Sequence, residues 1–86
     1  MRVSIPTPLR SYTADRRAVE AAGETLAEVF ADLDRRYPGI RFRMVDEQDA
    51  IRPHIRVWIG QQPTRSLATP VGANDEVVIF QALSGG

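Results

Sequence analysis

Two glycines, Gly85 and Gly86, close the 86-residue sequence after Leu83 and Ser84, and their placement is the most direct pointer to chemistry in the chain. Glycine has no Cβ, so a Gly-Gly segment can thread a narrow channel and let an enzyme close on the carboxylate at its end. At a glycine usage of about 7%, such a pair arises by chance in about 0.5% of chains, which makes it suggestive and leaves a frayed terminus as the plain alternative. The side chains offer much less. Without cysteine there is no thiolate nucleophile, no disulfide and no thiolate metal site. His54 is the single histidine, where a structural zinc site wants four ligands, so a strand-edge residue and no metal are expected. The serines lie in no triad motif, and no glycine-rich phosphate loop is present. Asp46, Glu47 and Asp49 lack the glycine and ligand spacing of a calcium loop and read as a solvated turn. The chemistry expected is therefore that of the Gly86 carboxylate, with Gly85, Ser84 and Leu83 as the residues that enter another protein.

A tail of this kind needs a rigid body to present it. The 43% hydrophobic content with charges interleaved supports one folded domain, which at this length rests on a single core. Arg2-Val3-Ser4-Ile5 alternates and is stopped by Pro6-Thr7-Pro8, which predicts a strand with Val3 and Ile5 inward. Arg17 to Ala21 reads as a second short strand paired with the first. Thr25 and Glu28 have the spacing of a capping box, and Leu26, Val29, Phe30, Leu33 and Tyr37 follow as one apolar stripe, so a helix is expected up to Pro38-Gly39. Ile40, Phe42 and Met44 alternate as a short strand would. Ile55, Val57 and Ile59 alternate with Arg56 and Trp58 in a further strand, with Gly60 to Arg65 as the turn after it. Leu67 and Val71 read as small core anchors beneath a loop, Asn74-Asp75-Glu76 as a turn, and Val77 to Phe80 as the final strand. A single helix cannot cover both faces of a doubly wound sheet. The pattern predicts an α+β fold in which one main helix packs on one face of a mixed four- to five-stranded sheet. If the last strand lies centrally and parallel to the first, the tail leaves from the middle of the sheet.

Eleven basic and eleven acidic residues cancel, so no broad field favours nucleic acid or an anionic membrane. All eleven basic residues are arginine, and the absence of lysine rules out self-conjugation through a side-chain amine. No signal-peptide pattern and no apolar run of membrane-spanning length is present, so a cytoplasmic protein is expected.

The segment Asp75-Glu76-Val77-Val78-Ile79-Phe80 leading to Ser84-Gly85-Gly86 resembles the end of the ThiS/MoaD family of ubiquitin-like, β-grasp sulfur carriers. The resemblance runs over nearly the whole chain. The opening Val3-Ser4-Ile5-Pro6-Thr7-Pro8-Leu9-Arg10, and Gly23-Glu24-Thr25-Leu26 at the helix start, are most similar to the actinobacterial carriers linked to a cysteine synthase. It implies a β-grasp domain over residues 1–82 and a flexible tail over 83–86. It further implies that a ThiF/MoeB-like adenylating enzyme uses ATP to activate Gly86, and that sulfur then replaces one carboxylate oxygen to give a thiocarboxylate. The carrier is then a cosubstrate and not an enzyme, with no bound cofactor. Its sulfur would go to a cysteine-synthase-like acceptor or, as an alternative, to the large subunit of molybdopterin synthase. Many family members carry prolines just before the terminal motif where this chain has Gln81-Ala82-Leu83, which tells against the molybdopterin partnership. Because the sequence reaches Gly-Gly directly, no protease is expected to uncover the tail. A ubiquitin-like modifier of other proteins, or a plain interaction module indifferent to losing Gly86, are the alternatives of another class.

On the sheet face away from the helix, alternation puts Val78 and Phe80 beside Trp58 of the neighbouring strand. Large apolar side chains grouped on an exposed face mark a contact site, so Trp58, Phe80 and Val78, with Arg56, are the expected partner-binding patch. The alternative is that the loop from Gly39 to Pro53 covers Trp58 and Phe80.

Overall fold

The computed structural model describes residues 1–82; Leu83, Ser84, Gly85 and Gly86 lie outside the described residues. Five strands form one mixed sheet: β1 (Arg2–Ser4), β2 (Ala18–Glu20), β3 (Ile55–Ile59), β4 (Gln62–Thr64) and β5 (Val77–Gln81), in the spatial order β2-β1-β5-β3-β4. β5 is central and runs parallel to β1, with Val3 opposite Val77, and antiparallel to β3, with Val57 opposite Ile79. The inward residues Val3, Ile55, Val57, Val77 and Ile79 are almost wholly buried. They meet Leu26, Val29, Phe30 and Leu33 of helix α1 (Leu26–Arg36), so the predicted stripe is the helix side of the core. This is the β-grasp architecture, with helix on one face of the sheet and the other face open.

The start of α1 is held from several sides. Thr25 Oγ1 accepts from the Glu28 amide at 3.3 Å, while Glu28 Oε1 accepts from the amide of Glu24 at 3.1 Å and not from that of Thr25. The amides of Leu26 and Ala27, orphaned at a helix start, donate to the carbonyls of Thr69 and Leu67. These bonds explain the loop before β5: Val71 is buried and Leu67 is packed against the core at its edge. Gly23 is required where β2 turns into α1, because a Cβ there would lie 2.7 Å from the Val29 nitrogen and 2.8 Å from Glu28 Cβ.

Two expectations are corrected. Residues 40–44 are a short helix, α2 (Ile40–Met44), and not a strand. Ile40 and Met44, four apart, share a face in either geometry, and both are fully buried. Phe42 distinguishes the two: in a strand it would point inward with them, whereas here it is 59% exposed, with the Arg52 guanidinium 4.7 Å above its ring. Gly39, at φ +97°, turns the chain between α1 and α2. The second correction concerns residues 60–65, which are more than a turn. Gly60-Gln61 is a two-residue hairpin loop with Gly60 at φ +60°, and Gln62–Thr64 returns as edge strand β4. The connection between β1 and β2 contains a 3-10 helix at Thr7–Thr13, which packs Leu9 and Thr13 inward. No helix among the described residues is long and apolar enough to cross a membrane.

Candidate functional site

The fold brings the predicted patch together. Trp58 lies opposite Val78 and Arg56 opposite Phe80 across the β3–β5 ladder, all four on the face that α1 does not cover. Trp58 is 37% exposed and Phe80 52% exposed, and a shallow, almost wholly apolar depression lies between them, lined also by Gly60 and Gln61. Residues 39–53 do not cover this surface, so the alternative of burial beneath that loop is excluded. Pro63 of β4 stands opposite Trp58 and lengthens the apolar row towards the sheet edge. Cross-strand neighbours of this size fix one another's orientation, so the patch is a rigid feature of the sheet.

The patch sits at the root of the predicted tail. The ladder continues past β5 through the Ala82 amide, which donates to the His54 carbonyl at 2.7 Å. Phe80 and Gln81, the residues before it, line a second groove with Pro6, Pro8, Arg10 and Arg17. Arg65 secures the other side of this exit by donating to the carbonyls of Ile55 at 2.9 Å, Ile51 at 2.8 Å and Arg52 at 3.1 Å. Gly86, Gly85, Ser84 and Leu83, the residues predicted to carry and present the reacting carboxylate, lie outside the described residues.

The other candidates resolve into structural roles. His54 is exposed and contributes its backbone carbonyl to the exit. Among the described residues no group of histidine and carboxylate side chains could hold a metal ion. Asp46 caps its own turn: its Oδ1 accepts from the amides of Gln48 at 2.8 Å and Ala50 at 3.1 Å, and the Ala50 amide, followed by that of Gln48, holds its carboxyl below the ordinary range. The arginines of the connection between β1 and β2, which sequence reasoning did not single out, turn out to flank the exit; no local pattern could have revealed that.

Comparison with known proteins places this geometry. The chain matches the ThiS family over residues 3–86. It is 36% identical, over 89 aligned residues covering 98% of this chain and 96% of the relative, to the sulfur carrier protein CysO of Mycobacterium tuberculosis. Among solved structures it superposes with a TM-score of 0.92 and 35% identity on a chain of the Amycolatopsis orientalis BexX/CysO complex, covering 99% of this chain and 98% of that one. SAMP1 of Haloferax volcanii, at 23% identity and a TM-score of 0.78 over 100% of this chain and 98% of its own, shares the fold. A match that spans almost the whole sequence, on a body whose central strand leads out beside an exposed apolar patch, makes the assignment: the chain belongs to the ThiS family.

Proposed function

We propose that this chain is a sulfur carrier in cysteine biosynthesis, in which the α-carboxylate of Gly86 is the sulfur-bearing group. The observation that carries this reading is the likeness, over 98% of the chain, to relatives named as sulfur carrier proteins. The chain is the cosubstrate and not the catalyst. A ThiF/MoeB-like enzyme uses ATP: a carboxylate oxygen of Gly86 attacks the α-phosphorus, pyrophosphate leaves, and an acyl-adenylate forms. A sulfur nucleophile then attacks the activated carbonyl and expels AMP, which leaves a thiocarboxylate for a cysteine-synthase-like acceptor. The carboxylate needs this activation because oxide is too poor a leaving group for sulfur to displace directly.

The described residues contribute recognition and aim. Residues 1–82 are the rigid body, and residues 83–86 are the segment that enters the partner. The Trp58, Val78 and Phe80 face, with Arg56 at its rim, supplies the apolar anchor that aligns the body so that Gly86 reaches the nucleotide. The family includes a carrier crystallised as the BexX/CysO complex, which supports a protein partner here as well.

The test is intact-protein mass spectrometry after incubation with ATP, a sulfide source and the host's activating enzyme, for the wild type and for a Gly86 deletion. Exchange of one oxygen for sulfur only in the intact chain is the expected result. No mass change, with an enzyme competent on another carrier, overturns the proposal.

A further inference from the structure

The net charge of zero conceals a segregation that appears only in three dimensions. Four arginines are ion-paired: Arg2 with Glu76, Arg35 and Arg36 with Asp32, and Arg41 with Asp49. Of the four, only Arg2 reaches the groove that runs along β5 to the exit, and there it is paired with Glu76. The arginines that gather there, namely Arg10, Arg17, Arg43, Arg56 and Arg65, form no ion pair among the described residues. Several are fixed instead by neutral oxygens. Arg10 Nε donates to the Ile5 carbonyl at 3.0 Å, Arg43 Nε to the Tyr12 hydroxyl at 2.8 Å, Arg56 to the Pro53 carbonyl, and Arg65 to three carbonyls. A carbonyl orients a guanidinium without cancelling its charge, so positive potential accumulates around Gln81 and Ala82. Asp15, on the same connection as Arg10 and Arg17, pairs with none of them. The opposite end of the sheet, where β1 and β5 begin, carries Glu20 and Glu76, paired with the N-terminal ammonium and Arg2, and Glu24 and Asp75, which form no ion pair among the described residues.

We propose that these arginines form a collar that docks on an acidic protein surface, the rim of the channel in which the activating enzyme receives residues 83–86. The inference rests on the sulfur-carrier reading and names the chemistry of its partner. A protein rim is favoured over a long polyanion because the positive end is small and the far end of the sheet offers the unpaired carboxylates of Glu24 and Asp75. An extended phosphate chain or a membrane would meet both ends, whereas a local acidic rim meets one. The same asymmetry turns the molecule as it approaches, so that the tail end arrives first.

The test is the KM for the carrier in ATP–pyrophosphate exchange catalysed by the host's activating enzyme, measured between about 20 mM and 500 mM salt, a range over which the screening length falls severalfold. Wild type is expected to lose affinity as salt rises. The Arg10→Gln, Arg17→Gln, Arg43→Gln variant should show a KM raised about tenfold at low salt and within about twofold of wild type at high salt, with kcat unchanged. An Arg35→Gln variant, which alters a paired arginine of α1, should behave as wild type. A wild-type KM indifferent to salt, with the triple variant equal to it, overturns the collar. If the KM ignores salt while binding to a single-stranded oligonucleotide depends on it, the collar belongs to nucleic acid and the proposal fails. Absence of any exchange with wild type, by an enzyme active on another carrier, overturns the sulfur-carrier reading itself and is distinct from both results.

Discussion

Truncating Trp58 and Phe80 together to alanine tests recognition directly, because both side chains stand on the open face of the sheet. With about 250 Å² for a tryptophan side chain and about 200 Å² for phenylalanine, exposures of 37% and 52% leave about 200 Å² of apolar surface free for a partner. At about 25 cal/mol per Å², full burial of that area is worth at most about 5 kcal/mol. Ordering and imperfect fit take a share, so about 2–3 kcal/mol should appear in binding, a rise of about 30- to 150-fold in the KM for the carrier. The buried remainder of the two side chains, about 250 Å², packs on neighbours that include Val78 and Pro63, so by the same count the fold loses up to about 6 kcal/mol. The assay is adenylation at varied carrier concentration, with a thermal melt to establish that the double variant is folded at the assay temperature. Tail chemistry is untouched, so at saturating carrier kcat should stay near the wild-type value. A folded variant whose KM lies within about twofold of wild type would refute the anchoring role.

Three further results are expected. Gly23→Ala forces a Cβ to within 3 Å of the Glu28–Val29 backbone and should cost about 2–3 kcal/mol in urea unfolding; a change below about 0.5 kcal/mol would show that the turn yields easily. The Asp32 carboxyl is held at about 2 by the Ala22 amide and by Arg35 and Arg36, so it stabilises the fold above its unfolded pKa near 3.8, and that contribution is lost as pH falls from about 4 to 2; Asp32→Asn should lower stability by about 1 kcal/mol at neutral pH and flatten the acid limb of a stability–pH curve. Arg65→Gln removes one donor from each of the Ile51, Arg52 and Ile55 carbonyls and should cost about 1 kcal/mol in a chemical melt, with faster hydrogen exchange at Ile55, whose amide also donates to the Arg52 carbonyl; unchanged exchange there would show that the exit holds without it.

The parts of the fold legible in the sequence are those where a period stands out. Ile55, Val57 and Ile59 put a β-branched residue at every second position, and Leu26, Val29, Phe30 and Leu33 mark a helical face, so both elements and their inward residues follow directly. Ile40 to Met44 does not, because five residues cannot separate a period of 2 from one of 3.6 when the two buried positions are four apart. β4 is hidden because Gln62-Pro63-Thr64 has no apolar alternation, and its proline is tolerated only because the strand lies at the sheet edge. The apolar patch was accessible through alternation once β3 and β5 were neighbours. The arginine cluster was not, since positions 10, 17, 43, 56 and 65 lie on four segments that only the topology unites. The terminal glycines, which no folding pattern demands, were visible in the sequence alone.

The central position of β5 also governs how the molecule comes into being. Before residue 81 leaves the ribosome, the β1–β2 hairpin and the β3–β4 hairpin have no strand in common, and the core residues Val77 and Ile79 are missing from between them. The nascent chain therefore cannot close its sheet in stages. Pairing of β1 with β5 spans more than 70 residues, the kind of distant contact that slows folding. Assembly is thus deferred until β5 has been made, and a chain stalled before it has no finished sheet for a partner to grip.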